Sequence, residues 1–469
     1  MPVLVIDNGA SHLKVGFNPH LASGQSRTPE DNRWQYLAMP NAIAIAQSAS
    51  GRKRVVGDQI EQLPHFHGVL VRRPMENGCI VDGQMQAVVW ERVLTLLKVS
   101  SETKIDLVLT IAIGSPCEVF AVIHWLCFER FHFHSLTLVP PEACALLTNP
   151  KASSGVGVVI DAGFSATSVT SFIDWKVKLD ATQRIPVGGK LLSNRLKELI
   201  SFSQVNLLED WWIANAIKEQ VCRVALNFDE EMRLNGRLAQ RHVAASESNT
   251  AYYVSRLAGK SPDAVGVGAS GKIVLIPKTI TTIHYILPTL PEVGPIGLQV
   301  QSNQPEDIKK WRRRNAQIIT LTKEPFVVAE TLFTPTDVGI RCAGVSECVL
   351  RAYRIIISTL CLGSEDDSIA KQLQSLLKEL TVIAGGSAAL PGFADRLNAD
   401  MCAALPNGVD STIPFLPKAD QTTVLGAAKL LAKDGHRFSL PTVFPEETMP
   451  TGCDRGALLY KRFCESWIG

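Results

Sequence analysis

Nothing in this sequence marks a zinc module, a disulfide framework or a membrane span. Its 11 cysteines are scattered, with no CxxC pair and no Cys/His cluster at zinc spacing. Such thiols read as buried side chains in a reducing compartment. No apolar run approaches the roughly 18 residues that a membrane helix needs. Neither sign of charge dominates: 47 Lys and Arg stand against 45 Asp and Glu, a net charge of +2. Composition therefore favours neither nucleic acid nor an acidic partner. Met1-Pro2 runs straight into an apolar segment, leaving no room for a cleavable leader. The expectation is an intracellular, soluble protein. At 469 residues the chain is too long for one small core, and two lobes are the natural division.

What is present begins at the N terminus. Residues 3–17, VLVIDNGASHLKVGF, read as a β-hairpin, with aliphatic residues, the turn dipeptide Asn8-Gly9, and a return to apolar/polar alternation. Asp7 stands at the tip of the first strand beside amides freed by the turn, and Lys14 adds a cation. Alone this says little, because most such hairpins bind nothing. The pattern recurs in residues 155–169, GVGVVIDAGFSATSV, with Asp161 and Gly163 in the places of Asp7 and Gly9. Two such hairpins suggest duplicated halves facing each other across a cleft. A nucleotide would lie between them, with both carboxylates near its divalent metal. The alternative is one strand-turn-strand unit used twice for structure only.

Between and beyond the hairpins, strands and helices alternate. Residues 18–33 read as a loop, 34–60 as a small strand-rich excursion, and 68–83 as strand-turn-strand. Met85, Val88, Val89, Arg92, Val93 and Leu96 fall at helical spacing. A buried strand over 105–113, a helix over 118–128 and a strand over 136–139 complete an α/β pattern. In PVGGKLLSNRLKELI, residues 186–200, Gly188-Gly189 precede a helix. This is either an anion site at a helix N-terminus or an ordinary turn. A helix over 211–232 carries Lys218 and Glu219. The pattern then loosens over 233–320, where KKWRRR, residues 309–314, reads as a solvated loop, a nuclear-import signal, or a contact for DNA or an acidic histone face. A helix follows over 346–360. A strand near residue 380 breaks at Gly385-Gly386, where backbone can approach a flat ring closely. The last helix is expected over 424–433.

Together these residues resemble the actin superfamily from end to end. The first hairpin is similar to its first phosphate loop and Asp161-Ala-Gly to its second. VGGKLLSNRLKEL, AIKEQVCRVALNF, PFVVAETLF and IAGGSAALPGFADRL are similar to further landmarks in the same order. Asp7-Asn8-Gly9-Ala10, residues 187–192, IHYILP at 283–288, LFTPTDVG at 332–339 and Lys429-Leu430 resemble a nuclear branch of that superfamily. The resemblance implies an α/β, actin-like ATPase-domain fold with two duplicated lobes, four subdomains in all, around a central nucleotide cleft. The first lobe would span 1–150, with an excursion subdomain about 27–67. The second would span 151–424, with an insertion about 233–320, and 425–469 would return to the first lobe. By position, Asp7, Gly9 and Lys14 would face phosphates, with Asp161 opposite and Gly163 in the second loop. Gly189 would lie near the ribose side, Lys218 and Glu219 near adenine and ribose, and Gly385-Gly386 under the adenine. Asp7 and Asp161 would hold Mg2+ through water, with ATP or ADP as a structural cofactor, kept or lost.

The departures from that pattern bear on activity. Ser11 replaces a second glycine, Phe164-Ser165 replaces an Asp-Gly pair, and Ser168 replaces a histidine. A phenylalanine there removes a carboxylate from the metal's outer shell and adds bulk beside the phosphates. The glutamine that orients water aligns with Glu142, or alternatively with Cys144. Glu142 could act as a base, but the metal-side changes argue against turnover. The resemblance implies a non-catalytic scaffold in the nucleus, a subunit of a Swr/SRCAP-type remodeller that exchanges a core histone for its Z-type variant. Its partners would be a small zinc-finger subunit and other non-catalytic subunits, with histone or nucleosome contact, no membrane and no filaments. Two other readings stand beside this one. A cytoskeletal protein that polymerises or caps filaments is disfavoured by the altered second loop. An active ATPase of the actin, sugar-kinase and heat-shock-chaperone group shows no sugar-binding carboxylate.

Overall fold

Strands Val3–Asn8 and His12–Asn18 pair antiparallel, with Asp7 opposite Lys14 and Asn8 opposite Leu13. All six residues of the first strand are buried, because both faces of its sheet are covered. Gly157–Ala162 and Thr167–Ile173 repeat the arrangement to the residue, with Asp161 opposite Ser168 and Ala162 opposite Thr167. Each first strand also takes a parallel neighbour, Asp106–Thr110 in one case and Thr381–Ala384 in the other. The sequence repeat is thus a structural repeat.

This computed structural model describes residues 1–19, 34–48, 51–100, 102–152, 154–235, 265–267, 273–275, 282–289, 291–300, 305–361, 373, 376–404, 442–444 and 455–468. Most of the loop expected over 18–33, much of the insertion, and the helix expected over 424–433 lie outside these residues. The chain divides into two compact units, Met1–Leu192 with Thr331–Gly469, and Ser193–Glu330.

The first unit holds both hairpins. Its six-stranded sheet runs Thr442–Val443, Ser135–Val139, Asp106–Thr110, Val3–Asn8, His12–Asn18, Gln35–Pro40. Its second sheet runs Lys176–Val177, Thr167–Ile173, Gly157–Ala162, Thr381–Ala384, with Gln183–Ile185 also paired to Thr167–Ile173. One buried apolar cluster joins the two sheets, from Leu4 and Leu109 to Val159, Phe172 and Val382. The excursion is a separate sheet of Ile43–Ser48, Gly51–Val56 and Leu70–Arg72. Helix Gly83–Leu96 starts where the Asp82 carboxylate accepts from the Met85 amide at 2.8 Å. It buries Trp90 and Val93 in the core. Helix Cys117–His124 continues as a π-helical turn, Trp125–Arg130. Against it lies the C-terminal helix Arg455–Trp467, with Phe120 meeting Tyr460 and Phe463 at ring separations of 5.3 and 5.6 Å.

The second unit contains helix Trp211–Val221 and a three-stranded sheet, Leu298–Gln299, Ile283–Ile286, Ile318–Leu321. Its small core of Ile286, Val293, Val300 and Ala316 takes the half-buried Trp311. The basic run lies in helix Pro305–Arg313 with Arg314 just beyond its end, where a solvated loop was one expectation. Lys309, Lys310, Arg312, Arg313 and Arg314 are exposed. Arg314 pairs with Glu292 and lies over Trp311 at 5.4 Å.

Phe463 is 2% exposed, so Phe463→Ala leaves a cavity under the C-terminal helix. The substitution should cost roughly 3–5 kcal/mol, read as a lower urea midpoint for the first unit.

Candidate nucleotide site

Asp7, the last residue but one of its strand, is 8% exposed, and a polar group buried there needs partners. Thr110 Oγ1 donates to Asp7 Oδ1 at 3.0 Å, and Lys14 Nζ lies 3.6 Å from Oδ2. Lys14 sits opposite Asp7 in the ladder, so the pair follows from register. Below the turn runs a buried polar network. Asn8 Nδ2 and Asn41 Nδ2 donate to Gln86 Oε1 at 3.3 and 3.5 Å, and Gln86 Nε2 donates to Asn41 Oδ1 at 3.2 Å. Trp90 Nε1 donates to Asn8 Oδ1 at 3.2 Å, and Asn41 Nδ2 to the Gly9 carbonyl at 3.0 Å. Gly9 does not adopt the positive φ expected of an Asn-Gly turn. Its reason is space, since a Cβ would stand 2.6 Å from the His12 carbonyl oxygen.

The second loop is gripped from several sides. The Gly163 amide donates to Ala166 O at 3.0 Å, and Ser387 Oγ to Gly163 O at 3.0 Å. The amides of Gly189 and Lys190 donate to the carbonyls of Gly163 and Phe164 at 3.0 and 2.9 Å. The first amides of helix Gly189–Ser203 therefore hold this loop, a use that the glycine pattern did not reveal. A Cβ on Gly188 would stand 2.5 Å from Phe164 O. One on Gly385, where φ is +92°, would stand 2.4 Å from both Asp161 Oδ1 and Ala162 O. Around Gly386 there is open space, with no atom within 4 Å of where a Cβ would be.

Glu142, on helix Pro141–Leu146, reaches the second hairpin. Ser168 Oγ donates to Glu142 Oε1 at 2.9 Å, while Oε2 is buried without a hydrogen-bond partner. Burial pushes its carboxyl up to about 7, and the Asp161 charge adds to the rise. Burial likewise raises Asp161 to about 6, offset by Lys14 and increased by Asp7. Of the two aligned alternatives, Glu142 bonds the second hairpin, whereas Cys144 is buried in the apolar cluster. Burial pushes its thiol far up, with Asp7 and Glu142 adding to the rise.

One neighbour that sequence reasoning missed is Arg73. Its Nη1 donates to the carbonyls of Ala10 and Ser11 at 3.2 and 2.8 Å, and its guanidinium lies 4.8 Å from the Phe164 ring centre. In the second unit, buried Lys218 donates to Ser193 Oγ at 3.1 Å and Asn215 Oδ1 at 2.9 Å. Exposed Glu219 accepts from Asn215 at 2.8 Å. Among the described residues no three His, Cys, Asp or Glu side chains are grouped to hold a metal ion directly.

The actin family profile, described as Actin, matches residues 1–434. The chain belongs to the actin family. It is 27% identical over 435 residues to actin-related protein 6 of Oryza sativa subsp. japonica, covering 91% of this chain and 90% of that protein. It is 26% identical over 430 residues to actin-related protein 6 of Arabidopsis thaliana, with 88% of each covered. The Drosophila melanogaster protein of that name is 26% identical over 424 residues, again with 88% of each covered. This is an actin-related protein with an actin-like fold.

A family nucleotide fits these residues unevenly. At the expected base end, Gly386 opens on free space, whereas the space beside Gly385 is filled by Asp161 and Ala162. At the phosphate end, Phe164 and Arg73 stand together, Lys14 pairs with Asp7, and the amides of Gly189 and Lys190 are engaged.

Replacing Gln86 with Leu strands buried groups of Asn8 and Asn41. Unfolding by denaturant should show a loss of about 2–4 kcal/mol. Glu142 predicts a pH effect of definite sign. Its carboxyl titrates at about 7 when folded, against 4.5 ordinarily, so between those values the folded chain holds a proton that the unfolded chain has released. Stability from this group is greatest below that window and falls as pH rises through it. Glu142→Gln should therefore raise the melting temperature at about pH 8 and change it little at about pH 4.

Proposed function

We propose that this actin-related protein is a non-catalytic scaffold subunit of a nuclear, Swr/SRCAP-type chromatin-remodelling complex that exchanges a core histone for its Z-type variant. The observation carrying the non-catalytic half is the pair of Arg73 and Phe164. Where the family resemblance implies a carboxylate beside the metal, this chain has an aromatic ring with a cation on it. A ring cannot orient metal-bound water, and the Glu142 carboxylate is bonded to Ser168. Any ATP or ADP, with Mg2+, would then be structural. The complex-forming half is supported by similarity to proteins named actin-related protein 6 along most of their length and by the nuclear-branch features of the sequence. The partners proposed are the complex's other subunits, among them a small zinc-finger protein.

Affinity capture of the full chain from nuclear extract tests the assignment. A remodeller ATPase and the Z-type histone variant should co-purify in stoichiometric amounts. Recovery of filament-network proteins in their place would support the cytoskeletal reading and overturn this one.

A further inference from the structure

Arg73 belongs to neither hairpin. It lies between strands Leu70–Arg72 and Met75–Glu76, yet it touches the turn of each. Both of its contacts favour a cation. Two carbonyl oxygens of the first turn, Ala10 and Ser11, accept from Nη1, and the Phe164 ring presents its negative face at 4.8 Å. Burial lowers the guanidinium to about 10, so it stays charged at neutral pH. Its neighbours tie the same stretch to strand Gln183–Ile185 and to helix Gly189–Ser203. Lys190 Nζ donates to both Glu76 oxygens at 2.7 Å, and Arg184 donates to the Asn77 carbonyl. Those two links are exposed, where such pairs contribute little. Arg73 is the sheltered one.

We propose that Arg73 is a positioning residue that clasps the two phosphate-loop turns directly, so that their mutual order does not depend on a nucleotide bridging them. It grips the first turn by carbonyls, whereas a phosphate would need amides, and it grips the second through Phe164, where this chain departs from the family. The inference rests on reading both turns as phosphate loops retained without turnover.

A double-mutant cycle on nucleotide-stripped full-length protein tests it. Arg73→Met and Phe164→Leu should each lower the melting temperature, and the double variant should fall by less than the sum of the two. Hydrogen exchange supplies a readout that simple packing would not move. In Arg73→Met the peptide carrying residues 163–166 should lose protection; stripped wild type should keep both turns protected, and millimolar MgATP should restore protection to the variant. If Arg73→Met does not fold, the milder Phe164→Leu carries the test and must loosen the first turn, residues 9–11. Additive effects, an unchanged second turn, a variant unmoved by MgATP, or wild-type turns protected only with MgATP would each overturn the proposal. ATP turnover by wild type would overturn the underlying reading and leave the cycle interpretable.

Discussion

A carboxylate at the end of a buried strand keeps its charge only where its surroundings hold it. Both hairpins of this chain are built on that constraint. Asp7 accepts from Thr110 and has Lys14 opposite it in the ladder. Asp161 has Ser168 at the corresponding place, and its carboxyl rises to about 6. The repeat is symmetric in backbone and asymmetric in charge. A Lys14 ion pair balances Asp7 at the first turn, whereas the second is held mainly by backbone bonds, close-packed glycines and the ring of Phe164.

Gly188, Gly385 and Ser387 approach the second loop so closely that it has little room to move. The first loop rests on the Asn8, Asn41, Gln86 and Trp90 network. Each turn is thus supported from within the protein, and Arg73 connects them. A hydrolase of this family would need freedom and charge at the phosphate end. At that end this chain has the Asp7–Lys14 pair, the Phe164 ring and its own cation, Arg73, and the proposed scaffold role rests on that difference.

Much of this was legible in the sequence because its causes are local. Alternation and turn residues gave both hairpins, and the match of Asp7 with Asp161 gave the duplication. Three- and four-residue spacing gave helix Gly83–Leu96. The breaks in the site's pattern at Phe164 and Ser168 were also visible. The rest depends on groups distant in sequence. Arg73 is one of many arginines until Ala10, Ser11 and Phe164 are placed around it. Gln86 looks like an ordinary helical residue until Asn8 and Asn41 surround it. Gly9 was read as half of a turn dipeptide, and the close His12 carbonyl that leaves no room for a side chain there is something no dipeptide pattern encodes. Trp311 in the basic run packs against an apolar cluster assembled from four separate positions, which the run itself does not encode.

The central claim is that the site is kept as structure and does not turn over. Its most direct test is a single-turnover incubation of purified full-length protein with labelled ATP and Mg2+, quenched over time and compared with Asp161→Ala. The account predicts that the label stays in ATP, with ADP forming no faster than in the Asp161→Ala protein. Conversion approaching one ADP per chain, absent from that control, would contradict it.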